Sequence, residues 1–389
     1  MTTLRSRLAA AALLSATLLA CTGNAPAEQG RSADQPAPAS QPASGLPFVV
    51  TPVADFESPW AMTFLPDGRM LVTEKDGRML LVSADGRTRR TVATMTVDAA
   101  GQGGLMDVVL APDFAASKGV YFSYSAAGQG GKGVVLSRAV LDLQPGAERL
   151  RSIEAIYRAT PLVEGNGHYS GRIAFSPDGK YLFFTNGERQ KFTPAQDKAG
   201  SLGKVLRLTP DGKPAPGNPL VAEGFRPEVW SYGHRNLLGI AFDKAGNLWE
   251  QEMGPKGGDE VNLIRPGRNY GWPKASNGSN YDGSDIPDHR AGDGYEPPKL
   301  WWNPSISPAG LMIYSGTMFP QWRGDAFLGG LSSEALLRVH LDGTNATKGD
   351  QWPMGARIRE VEQGPDGAIW LLEDGGTSPG RLLKLTPRR

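Results

Sequence analysis

The chain of 389 residues is 40% hydrophobic, enough to bury the core of one large or two medium domains. Its 41 basic and 40 acidic residues leave a formal net charge of +1 with no basic block, which argues against a nucleic-acid partner held by phosphate neutralisation. Glycine (50) and proline (31) are about one residue in five, against roughly 12% in ordinary proteins, and favour many short strands joined by tight turns.

At the N-terminus, Arg5 and Arg7 precede the apolar run Leu8 to Ala20, too short to span a bilayer but the right length for the core of a signal peptide. Leu18-Leu19-Ala20-Cys21 resembles the lipobox of bacterial lipoproteins, where the cysteine is acylated and becomes the new N-terminus. The alternative is an ordinary signal peptide with an incidental cysteine. Cys21 is the only cysteine, so disulfides are excluded either way. The following stretch is rich in Pro, Ala, Ser and Gln and lacks aromatic and β-branched apolar residues, so burial cannot offset its ordering entropy. The expected organisation is a signal peptide over 1–20, a disordered tether over 21–45 and a globular domain over 46–389.

Within that domain a weak repeat appears. Pro66-Asp67-Gly68, Pro112-Asp113, Pro177-Asp178-Gly179, Asp243 to Gly246, Gly324-Asp325 and Pro365-Asp366-Gly367 each precede a strand-like run, among them MLVTE (70–74), VYFSY (120–124), YLFFT (181–185), NLWEQ (247–251) and AIWLL (368–372). Proline presets φ and glycine accepts positive φ, so each unit reads as a hairpin. Six units across the 344 residues of 46–389 give about 57 residues each, the content of a radial array of four-stranded sheets. No long segment carries apolar residues at helical spacing. The predicted fold is all-β, a six-bladed β-propeller; a β-sandwich or two smaller β-domains is the alternative. Extra loop length is expected in the polar stretch Ser276 to Glu296.

Candidate functional residues follow in chain order. Three glycines bracket Gln102 in Gly101-Gln102-Gly103-Gly104, so backbone can approach a ligand beside an amide, although a ligand-free hairpin loop would read the same way. His168 stands in a Gly-flanked approach to a strand, and histidine is the side chain that titrates near neutrality without help. It is either a general base in a central cavity or a surface-loop histidine. From Val229 to Pro273 the chain packs Arg235, Asn236, a Gly254-Pro255 step, Asp259, Glu260 and Tyr270-Gly271-Trp272-Pro273 around one short strand, a density that reads as half of an active site. Ser305 lies in Trp302-Asn303-Pro304-Ser305. Arg357 and Arg359, at i and i+2, share one face of a strand, as a clamp on carboxylates or as solubilising charge.

These pieces resemble one family, the soluble aldose sugar dehydrogenases that use pyrroloquinoline quinone, also called the glucose/sorbosone dehydrogenase family. The motifs that carry the resemblance are GQGGL (101–105), HYSGR (168–172), LGKVLRLTPDG (202–212), SYGHRN (231–236) and MGPKGGDEVNLIRPGRNYGWP (253–273), in the family's order and at similar spacing. The resemblance implies that His168 is the general base, with Arg235 beside it as the second catalytic group. Gln102, Arg235, Asn236, Ser305, Arg357 and Arg359 then contact the quinone, as does the loop residue Tyr281. Gly254 and Pro255 offer carbonyls to a catalytic calcium ion, and Glu260 with the main chain at Tyr270 holds a second, structural one. Where relatives place a lysine on the quinone, this chain reads Gly330-Leu331-Ser332-Ser333, and Ser332 is the substitute. Where one branch has an acid before the base, this chain has Gly167, so another group must fix the tautomer of His168.

The implied activity is oxidation of an aldose sugar to a lactone, with pyrroloquinoline quinone and calcium as cofactors. An electron acceptor, a cytochrome or a quinone, is also implied, together with a lipid-anchored location on the outer membrane facing the periplasm. A calcium-dependent lactonase and a non-catalytic sugar- or partner-binding propeller are the competing readings. Cys21→Ala is expected to shift the protein from the membrane to the soluble fraction on cell fractionation, with its fold unchanged; retention in the membrane fraction counts against lipidation.

Overall fold

The computed structural model describes residues 45–375 and 379–388. The expected signal peptide and nearly all of the expected tether lie outside the described residues. Six four-stranded antiparallel sheets follow one another along the chain. Blades 1, 2, 3 and 5 are uninterrupted meanders whose inner strands are Pro59–Phe64, Leu105–Leu110, Ser170–Phe175 and Pro308–Ile313. Blade 4 begins at Leu237–Phe242 and carries the long loop between Asp259–Ile264 and Leu300–Trp302, where the polar stretch 276–296 was expected to add length. Blade 6 takes Ile358–Gln363, Ile369–Glu373 and Gly380–Pro387 from the C-terminal end of the domain and its outermost strand, Phe48–Phe56, from the start. The inner strands pack side by side in a closed ring, so the architecture is the six-bladed β-propeller.

The repeated turns each connect the first strand of a blade to the second. The runs that follow them are the second strands, and in blades 1, 3, 4, 5 and 6 every residue of that strand is buried. A second strand is covered by its sheet neighbours on two edges and by adjacent blades on both faces, which is why it reads as a near-continuous apolar run. Outer strands such as Arg149–Arg158 face water and carry mostly polar residues. The sole α-helix among the described residues is Phe114–Ser117. Among the described residues no helix is long and apolar enough to cross a membrane.

The inner strand of every blade shifts register against the second strand near its start: at 59/61, 105/108, 170/173, 237/239, 309/311 and 358/360. A bulge re-aims side chains out of simple alternation. Six of them at the same level make a ring of re-aimed residues around the propeller axis. Arg172 is its centre. Its Nε donates to the Leu238 carbonyl (2.9 Å), its Nη1 donates to Asp107 (3.2 Å) and to Glu360, and its guanidinium lies 4.2 Å from the Trp60 ring centroid. Gly310 completes the ring in blade 5, where a Cβ would meet Glu360 Oε1 at 2.7 Å.

Arg172→Met removes the cation while leaving Asp107 and Glu360 buried. Breaking a buried ion network from one side costs about 3–5 kcal/mol, so the denaturant midpoint should fall sharply in a two-state melt; an unchanged midpoint would mean that the two acids are simply protonated.

Candidate active site

Above the bulge ring lies a cavity of about 470 Å³, within the range of small-molecule sites. Its floor and walls come from the bulged segments (Trp60, Met106, Ser170, Leu238, Arg359) and from residues just past the ends of the second strands (Lys75, Met253, Gly254, Leu331, Asp374). The Pro-Asp-Gly turns start the second strands, so the strands' far ends must meet on the opposite face, and that face is the site.

His168 stands here with φ +47 and only 5% of its surface exposed. Its amide donates to Gln102 Oε1 (2.7 Å) and its ring Nδ1 meets Glu188 Oε1 at 2.5 Å. The second oxygen of Glu188 accepts the amides of Lys191 (2.5 Å) and Phe192 (2.6 Å). Burial favours the neutral carboxyl of Glu188, but its bond to His168 and these amides together bring it below the usual range and keep it ionised. For His168, burial is the largest influence and lowers the ring below the ordinary 6.5; the Glu188 bond opposes this, and the positive charge of Arg235 adds to it. The ring is therefore neutral at pH 7, with Nδ1–H on Glu188 and Nε2 as the free base, the orientation a carboxylate imposes on a catalytic imidazole. Glu188 is the group that Gly167 could not provide. A Cβ at Gly167 would sit 2.3 Å from the Gln190 side chain, itself part of the cavity wall.

Arg235 donates from Nη1 to the carbonyls of Met253 (2.9 Å) and Gly254 (2.6 Å), and from Nη2 to the Tyr281 hydroxyl (3.2 Å). Asn236, Tyr281, Ser305, Gly254 and Pro255 all line the cavity, Tyr281 from an exposed loop position. Asp259 ties two walls together: Oδ1 accepts from the Gly254 amide (2.8 Å), and Oδ2 accepts from the Ser305 hydroxyl (2.5 Å) and the amides of Ile306 and Ser307. Arg357 and Arg359 both line the cavity, Arg357 from an exposed position, and share Oδ2 of Asp374 at 2.9 and 3.0 Å. Ser332 is placed elsewhere. It is exposed, its hydroxyl donates to the Ser305 carbonyl (3.3 Å), and the wall at that point is Leu331.

Glu260 and Tyr270 lie apart from the main cavity, in a small adjoining cleft with Glu252. The Tyr270 hydroxyl is engaged by Leu263 and Arg265, so only its main chain is left for a ligand. Asn262 Nδ2 lies 3.2–3.3 Å from one oxygen each of Glu250, Glu252 and Glu260. Burial, and then repulsion from Glu252, pushes the carboxyls of Glu250 and Glu260 well above the usual range. His234, the other conceivable base, is fully buried with Nδ1 on Glu252 (3.0 Å) and Nε2 on Ser231 (2.9 Å), and has no nitrogen for a substrate.

Glu188, Lys75 and Asp374 escaped the sequence reading. Each follows closely on the run that begins after a Pro-Asp-Gly turn, and that position was the available signal.

A small cavity at one end of the propeller axis, with three guanidinium groups and an ammonium around a carboxylate-backed imidazole, defines a β-propeller with a strongly basic axial site. Sequence comparison agrees with that class: the profile of the Glucose / Sorbosone dehydrogenase family matches residues 56–384, and the chain belongs to that family. It is 39% identical over 344 residues to aldose sugar dehydrogenase YliI of Escherichia coli K12, covering 85% of this chain and 91% of that one. The crystal structure of the soluble aldose sugar dehydrogenase from Escherichia coli in its apo form superposes with a TM-score of 0.82 at 37% identity, over 88% of this chain and all of the other. The PQQ-bound aldose sugar dehydrogenase from Streptomyces coelicolor superposes with a TM-score of 0.73 at 31% identity, over 88% and 98%.

An NMR titration of the His168 ring should give a midpoint below 6.5. In Glu188→Gln the opposing bond is weakened, so the midpoint should move lower still; a midpoint that rises or stays put would mean that Glu188 does not act on the ring.

Proposed function

We propose that this protein oxidises the anomeric hydroxyl of aldose sugars to the lactone, with pyrroloquinoline quinone and calcium as cofactors. The observation that carries the proposal is His168, held by Glu188 and opening into a cavity whose cations outnumber its acids four to one. Pyrroloquinoline quinone is a planar tricarboxylate, and planar guanidinium donors match carboxylates in charge and geometry. Arg357 and Arg359, pre-aligned by Asp374, and Arg235, fixed by two carbonyls and Tyr281, are the groups that would hold it.

The oxygen donors suit a hard cation as well. Gly254 presents its carbonyl to the cavity, where a guanidinium cation already binds it, and Pro255 adjoins it. Beside the neighbouring cleft, Glu250 Oε1 and both ring nitrogens of His289 are buried without a hydrogen-bond partner, the latter 3.9 Å from Glu260 and 3.8 Å from Asp293, and three carboxylates crowd one amide. A structural calcium ion on Glu260 and the Tyr270 carbonyl would relieve that crowding.

When bound, the quinone supplies the hydride acceptor and calcium polarises its reacting carbonyl. The protein's own part is proton removal and exclusion of alternatives. Nε2 of His168 takes the hydroxyl proton, Glu188 stabilises the imidazolium that forms, and Gln102 holds the backbone so that the ring stays aimed. A lactonase would instead need several acidic ligands converging on the cavity, whose one lining acid, Asp374, is bound to two arginines. We place the enzyme on a lipid anchor at Cys21, facing the periplasm and passing electrons to a cytochrome or quinone.

Titrating purified protein with the quinone and calcium, and following the quinone absorbance, tests cofactor use directly. A panel of aldoses with an artificial electron acceptor then tests substrate class; release of acid from lactones without quinone would favour the hydrolase. His168→Gln should bind quinone and calcium normally but lose about 10²- to 10⁴-fold in turnover. The base acts deprotonated, so wild-type kcat/KM should rise with pH through a midpoint below 6.5. That limb should vanish in His168→Gln.

A further inference from the structure

Four cations face the cavity, and three of them are accounted for by the contacts above. Arg357 and Arg359 share one carboxylate, so with Asp374 they form a centre of net charge +1. Arg235 is answered only by neutral oxygens and is a second +1 centre. The third is Lys75. Its Nζ donates to the Gly101 carbonyl at 2.5 Å, a neutral acceptor, and no carboxylate lies in salt-bridge contact with it. Its place in the wall is built. The amide of Lys75 donates to the Ser58 carbonyl (3.0 Å), its carbonyl accepts from Leu105 (3.2 Å), and Gly104 packs so closely that a Cβ there would lie 2.4 Å from that carbonyl.

A lysine ammonium half-removed from water, beside a guanidinium and without an acid of its own, is an incomplete arrangement. Burial, and then the charge of Arg359, hold Lys75 below the ordinary lysine value, while Asp374 partly offsets them. An arriving anion would reverse that direction. Lys75 is thus a cation in the cavity wall with no acid of its own, and the quinone carries three carboxylates.

We infer that Lys75 is a cofactor ligand, its ammonium binding one carboxylate of the tricarboxylate quinone while Arg235 and the Arg357–Arg359 pair face the rest of the molecule. The inference rests on the proposed quinone dependence and deepens it. Lys75 lines the cavity where Ser332 does not, the Ser332 hydroxyl being turned to the Ser305 carbonyl.

The test is the dissociation constant of the quinone, by absorbance titration with calcium present, for wild type, Lys75→Met and Lys75→Arg. Lys75→Met should weaken binding about 10- to 100-fold, the scale of one charge-assisted hydrogen bond. Lys75→Arg, which keeps the cation, should recover most of that loss. Repeating the titration with the trimethyl ester of the quinone should erase the difference between wild type and Lys75→Met. An equal loss with the ester would mean that the substitution disturbs the wall and would overturn the assignment, as would a Lys75→Met affinity within twofold of wild type. A wild type that binds no quinone at all would remove the proposed function and this assignment together.

Discussion

The Arg172 guanidinium is the contact on which the rest of the molecule depends. It sits on the propeller axis and reaches a tryptophan, two carboxylates and a carbonyl from four other blades, so it is in effect the hub of a wheel with no covalent centre. A ring of inner strands leaves a channel where six backbones converge, and apolar side chains alone would have to fill it symmetrically. Here a single long cation fills it asymmetrically, and its charge is balanced by Asp107 and Glu360. Such a buried network is sensitive to loss of any one member.

The same six bulges that admit Arg172 also make the cavity. A strand that alternated without interruption would send every other side chain into a blade interface. The register shift turns Trp60, Met106, Leu238 and Arg359 toward the axis instead, and places them as a floor on which a flat molecule could rest. The other charged residues stand above that floor, Lys75 and Asp374 just past the ends of second strands and Arg235 and Arg357 just before inner strands. The cavity's polar groups are thus anchored by buried strands at the points where the chain enters or leaves them, with the loop of Tyr281 at the side.

Around the base the backbone is held in unusual conformations. His168, Ser170, Arg189, Gln190 and Phe192 all have positive φ without being glycine, a cost of order 1–3 kcal/mol each that the surroundings must impose. Part of that restraint is visible. Lys204 is fully buried and donates to the carbonyls of Pro194, Ala195 and Leu202, which pins the segment running back to Glu188. Glu188 itself is held by two amides of the same loop. The base and the carboxylate that orients it are therefore set by two neighbouring strained segments, 168–170 and 189–192.

Much of this could be read from residues alone. Turn chemistry recurring six times ahead of apolar runs determines a propeller, because local rules of φ and of burial act on adjacent residues. His168, Arg235, Asn236, Gln102 and the Arg357–Arg359 pair could be singled out as candidates from their local motifs, though each could also be read as an ordinary loop or surface residue, and it is the fold that gathers them at one cavity. Glu188, Lys75 and Asp374 were not. Each is an ordinary charged residue just past the end of a strand, and what distinguishes it is the partner that folding brings to it: His168 for Glu188 and two arginines for Asp374, both from the neighbouring strand of the same blade, and the Gly101 carbonyl of the next blade for Lys75. Ser332 shows the converse, for its neighbours in sequence suggested a ligand, yet its hydroxyl is turned to the Ser305 carbonyl by packing. The strands and their order are decided over a few residues. Which charge meets which is decided only when strands pair and blades pack, because the meeting groups lie 15 to 26 residues apart along the chain and close in space.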